Sequence, residues 1–148
     1  MSKLFELYVL GLLKERFVND VKYQYRSFWN ELDFLLNEKQ NGGYKMVIGT
    51  KYKPIYQNED KKDWDIENIR QISGYARLET VYKELFGLFD ENNPQTIDCL
   101  IIYPEAVSHI NEVINTLPHD LKADKISSFV KFYKVGVKSP ILKTELYF

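Results

Sequence analysis

Two apolar runs constrain this fold more than any other part of the chain: Leu32-Asp33-Phe34-Leu35-Leu36 and Met46-Val47-Ile48-Gly49-Thr50-Lys51-Tyr52-Lys53. Between them lies a polar stretch ending in Gly42-Gly43, a pair suited to a hairpin turn because glycine adopts positive φ without strain. Residues two apart in a strand share a face. Met46, Ile48 and Thr50 therefore point one way, and Val47, Gly49, Lys51 and Lys53 the other. On the first strand Leu32, Phe34 and Leu36 share a face, which leaves Asp33 opposite them, beside Glu31 and Leu35. A carboxylate and a lysine set into such strands need each other, a metal or a substrate, because a buried unpaired charge is costly.

The rest of the chain supplies helices and strands around this hairpin. Leu4, Phe5, Tyr8, Val9, Leu12 and Leu13 recur at helical spacing up to Phe17. Val21 to Phe28 alternates as a strand, with Gln24 as an outward polar residue. Pro54 and the charged segment Gln57 to Asp63 read as a loop, and Asp65 suits the cap of a helix running to about Gly87. On that helix Asn68, Gln71, Tyr75, Leu78 and Tyr82 form one face, next to an apolar face of Ile69, Ile72 and Ala76. Thr96 to Tyr103 is apolar throughout, as in a strand buried on both sides. A short helix is expected from Ala106 to about Leu117, and a last strand over Ser127 to Val137. This order describes an α/β sandwich in a single domain, residues 1–148.

Composition narrows the setting. Net charge is −1, so attraction to nucleic acid has to come from a local patch. The one cysteine, Cys99, excludes an intramolecular disulfide and fits a reducing compartment. No apolar run reaches the ~18 residues of a membrane span, and Leu4 to Leu13 lacks the features of a secretory signal. A cytoplasmic protein with no membrane partner is the expectation. His109 and His119 stand apart from the hairpin and suggest no metal cluster.

Asp33 followed by "VIGTKYK" resembles the core of the PD-(D/E)xK nuclease superfamily. There an aspartate on one strand precedes an acid, any residue and a lysine on the next. The opening "LFELYVLGLL", the "TKYK" ending and "NIRQISGYARL" are similar to the nuclease domain of the McrC family, part of a 5-methylcytosine restriction system. The resemblance covers roughly residues 4 to 104. It implies a restriction-endonuclease-like core, αβββαβ, with a mixed central sheet flanked by helices. It also implies a Mg²⁺- or Mn²⁺-dependent DNA endonuclease acting with a motor (GTPase or ATPase) subunit, and allows a homodimer. Catalytic roles would fall to Asp33, Lys51, Glu6 and Gln71, and metal ligation to Asp33, Glu6 and the backbone carbonyl of Thr50. Lys53, Arg70, Tyr75 and Arg77 would contact nucleic acid. Ordinary alternatives stand beside these roles. Glu6 is also a carboxylate suited to a helix N-terminal dipole, Gln71 a polar residue at a helix margin, and the arginines solubilising charges.

One position departs from the family pattern: Gly49 stands where an acid is expected. Metal binding should then be weak and cleavage low or absent. Three explanations compete: a degenerate nuclease kept as a DNA- or protein-binding module, removal of the acid by engineering, or relocation of the acid to Asp65 or Glu67. If the loss is recent or engineered, Gly49→Asp is expected to restore binding.

Overall fold

A computed structural model of the chain describes residues 2–27, 30–40, 43–52, 66–92, 95–105 and 117–138. In order they form α1 (Ser2–Phe17), a 3-10 turn (Val18–Asp20), β1 (Val21–Ser27), β2 (Asn30–Asn37), β3 (Lys45–Thr50), α2 (Ile66–Tyr75), α3 (Glu79–Phe86), β4 (Asp98–Glu105) and β5 (Phe132–Lys138). The five strands make one sheet in sequence order. β1, β2 and β3 are an antiparallel meander, while β4 runs parallel to β3 and β5 parallel to β4. The protein is α/β with a mixed sheet.

Each face of the sheet carries its own core. On one, Phe5, Val9, Leu12, Leu13 and Phe17 of α1 pack on Phe34, Leu36, Met46, Ile48, Leu100 and Ile102. On the other, Ile69, Ile72 and Ala76, with Val81 and Leu85 of α3, pack on Leu35, Val47, Cys99, Ile101 and Tyr103. Burial of each large apolar side chain contributes about 1.5–3 kcal/mol, which is why helices cover both faces. β4 is buried from Cys99 to Pro104, as a central strand covered on both sides should be.

Several local expectations are corrected. The helix expected to run to Gly87 is broken. Ala76 N–H still reaches Ile72 O (3.2 Å), but Arg77 N–H turns to Gly74 O (3.1 Å) and Leu78 is extended, φ −72° and ψ 131°. The buried spacing signals the break: Ile69, Ile72 and Ala76 keep helical steps, whereas Ala76 to Val81 does not. The last strand starts at Phe132 rather than Ser127, because Ser128 (φ 78°) and Lys131 (φ 50°) are left-handed. Gly43 has no positive φ among the described residues. Its smallness is needed for space instead, since a Cβ there would lie 2.7 Å from the Gln40 and Glu38 carbonyl oxygens. Gly42, Lys53, Asp65, His109, the Gln57–Asp63 loop and nearly all of the helix expected from Ala106 lie outside the described residues.

The most consequential correction concerns β2. Leu32 packs with Leu35 and Val47, on the opposite face from Phe34 and Leu36. Pairing with β1 skips Gln24 opposite Asp33, where Gln24 has φ 53°, and pairing with β3 stops at Phe34–Ile48. A bulge-like irregularity of this kind re-aims the chain, so side-chain alternation breaks at Asp33 itself.

Candidate functional site

Where the β2–β3 ladder ends, Asp33 takes over its bonding. Its Oδ2 accepts the Thr50 backbone N–H (2.8 Å) and the Thr50 hydroxyl (3.0 Å). Within a strand a residue's N–H and C=O point to the same edge, so the Thr50 carbonyl also faces the β2 side. The aspartate is thus clamped at the open end of the sheet, within reach of both helical layers.

From the first layer comes Glu6, whose carboxyl group lies close enough to that of Asp33 for each to shift the other's titration. Glu6 sits in the second turn of α1, with no acid in the first turn, so the helix dipole is a weak account of its placement. It also accepts the Tyr23 hydroxyl (2.6 Å) and the Lys3 ammonium (3.0 Å). Two carboxyl groups in contact cannot both ionise freely. Burial, opposed by the Thr50 N–H and reinforced by Glu6, pushes Asp33 up to about 6. Burial also works against Glu6, yet Tyr23, Asp33 and Lys3 together hold it below the usual glutamate value.

The second layer walls a cavity of about 170 Å³ that includes Asp33, Gly49, Asn68, Gln71, Ile72 and Tyr75. Burial and the Asp33 charge push the Tyr75 hydroxyl up, while Gln71, its neighbour one turn back, works the other way. An adjoining open cleft of about 590 Å³ is lined by Lys51, Glu67, Asn68, Arg70 and Gln71. Asn68 and Gln71 belong to both walls, so Asp33 and Lys51 face adjoining spaces under one helix.

Most of the expected residues are therefore brought together: Glu6, Asp33 and Thr50 in one contact cluster, with Gln71 and Tyr75 beside it and Lys51 and Arg70 at the cleft. Arg70 is exposed and pairs with Glu67 at 2.9 Å, a solvated contact of small energetic weight. Glu67 opens on the Lys51 cleft and does not line the Asp33 cavity. Arg77 is parted from the group. Beyond the end of α2 it borders another cavity, of about 360 Å³, with Ser73, Tyr82, Thr96 and Cys99. Three contributors were missed: Tyr23, the hydroxyl of Thr50, and Ile72 against Gly49. Strand alternation could not have paired Tyr23 with Glu6, since that contact joins a helix to a sheet edge.

Oxygen donors such as the Glu6–Asp33 pair and the Thr50 carbonyl suit a hard divalent cation. Among the described residues no group of three or more His, Cys, Asp or Glu gathers. No helix among them is long and apolar enough to cross a membrane. No protein-family model, curated protein or solved structure matches the chain.

Proposed function

We propose that this chain is a metal-dependent DNA endonuclease domain of a restriction or defence system, McrC-like, with impaired cleavage. The observation that carries the reading is the meeting of Glu6 and Asp33 beside Thr50, with Lys51 in the adjoining cleft. The element order supports it too: α1, three antiparallel strands, α2, and then a strand parallel to the third is the sequence of elements in a restriction-endonuclease-like core.

Glu6, Asp33 and the Thr50 carbonyl would hold Mg²⁺ or Mn²⁺, which when bound neutralises phosphate charge and acidifies a coordinated water. The Thr50 N–H and hydroxyl fix the Asp33 carboxylate in one orientation. That preorganisation spares the site a rearrangement during reaction. Lys51 supplies a point charge for a DNA phosphate or orients the attacking water. Gln71 and Tyr75 offer a hydrogen-bonding wall to the backbone or a base. The same resemblance proposes a motor subunit as partner and a homodimer as a form of assembly.

Nicking of supercoiled plasmid with Mg²⁺ or Mn²⁺ tests this. Slow, metal-dependent nicking is expected, lost to chelator, with a fall of about 10²-fold or more in Asp33→Asn, as for loss of an electrostatic group of this kind. Gly49 favours a second reading, since it removes the strand acid: the fold then serves as a DNA- or protein-binding module. Absence of both nicking and DNA binding at low salt would leave the protein-binding form of that reading ahead.

A further inference from the structure

We infer that Ile72 occupies the space a side chain at position 49 would need, so that Ile72 decides whether position 49 can add a carboxylate to this site. The chemical meaning rests on the metal-site reading above; the steric relation stands apart from it. A Cβ built on Gly49 collides with Ile72 Cδ1, lies 3.0 Å from Ile72 Cγ1, and stands 4.0 Å from Asp33 Oδ2. Position 49 thus points at Asp33, where a second strand acid would be useful, and its path is closed by α2.

Ile72 can yield only in part: Cδ1 is the end of its side chain and can swing, whereas Cγ1, 3.0 Å from the added Cβ, moves only with χ1. Ile72 is only 3% exposed and belongs to the core cluster with Leu35, Val47, Ile69 and Cys99. A β-branched side chain in a helix is confined largely to one χ1 rotamer, which keeps Cγ1 beside position 49 even though the side chain also borders the cavity of about 170 Å³. Glycine at 49 and isoleucine at 72 are a matched pair. Restoring the acid alone, by Gly49→Asp, would force a carboxylate into contact with Ile72. The two residues are expected to change together; until they do, Glu6 reaches Asp33 from the other layer, and Glu31 borders the same cavity while paired with Arg26.

Two measurements test this. The first is a thermal double-mutant cycle with Gly49→Ala and Ile72→Val, where valine removes only Cδ1 and is the mildest truncation. Gly49→Ala is expected to lower Tm by roughly 5 °C with Ile72 present and by less than about half of that in the Ile72→Val background. Equal losses in both backgrounds would overturn the inference. The second is Mn²⁺ titration by calorimetry of Gly49→Asp alone and combined with Ile72→Val. Binding at least about tenfold tighter in the pair is expected, and equally tight binding by the single variant would overturn it. Thermal coupling without Mn²⁺ binding in any variant would uphold the steric inference and count against the metal-site reading.

Discussion

Asp33 carries the largest consequence of any single residue in the site. Burial and its contact with Glu6 hold its folded-state pKa near 6, against an ordinary value near 4. Between those values the folded chain retains a proton that the unfolded chain has released. Asp33's stabilising contribution is thus fully present below about pH 4 and is lost as pH rises through about 6. Glu6 has the opposite sign: held below its ordinary value, it stabilises above that value and loses this as pH falls through the lowered one. Asp33→Asn should therefore gain stability on the parent between about pH 4 and 6 and keep a constant advantage above it, up to about 3 kcal/mol at about 1.36 kcal/mol per unit. Urea melts at intervals across that range check this. A parent–variant difference that is flat from about pH 4 to 7 would contradict the burial of Asp33 as described.

At the scale of elements, the irregular stretch of β1 and β2 makes the site possible. Had alternation continued through β2, Leu32 would lie with Phe34 under α1. The skip at Gln24–Asp33 turns Leu32 to the α2 face and leaves the aspartate at the boundary between layers. Gln24 stands at φ 53°, exposed on an edge strand. Valine usually favours exposed strand positions, but a β-branched residue is poorly tolerated at positive φ. Gln24→Val should thus destabilise the protein by about 0.5–1 kcal/mol, the extra cost of a β-branched side chain over the unbranched Gln that already bears the left-handed conformation, read as a lower denaturant midpoint with unchanged slope. A neutral or stabilising result would mean that β1 is regular in solution. The elbow between α2 and α3 is a second decision at this scale. It gives each short helix its own registration on the sheet, and it carries Arg77 away from the Lys51 cleft to a different cavity.

For the whole molecule, a net charge of −1 means that DNA can be attracted only by local cations. The fold places Lys51 and Arg70 along one cleft and Arg77 elsewhere. Binding should be weak and salt-dependent, with Arg70→Ala reducing the slope of log K against log salt by about 0.9. Arg77→Ala should leave that slope nearly unchanged, although the two arginines, seven residues apart, would share a face of one continuous helix. Equal effects from both would place DNA across the elbow rather than in the cleft. The sequence by itself determined the α/β class and most of its elements: helical spacing in Leu4–Phe17, the apolar runs of β2, β3 and β4, and the face of α2 each depend on neighbours close in sequence. It also marked Asp33 and Lys51, because charges in apolar strands stand out without a structure, while Glu6, Gln71 and Tyr75 are singled out by the resemblance of their segments to a nuclease family. Only the tertiary structure decided which of them meet. The contact of Glu6 with Asp33, the clamp of Thr50 and the exclusion between Gly49 and Ile72 join elements far apart in the chain. They arise from packing against a sheet that breaks its own alternation, and local periodicity carries no record of that break.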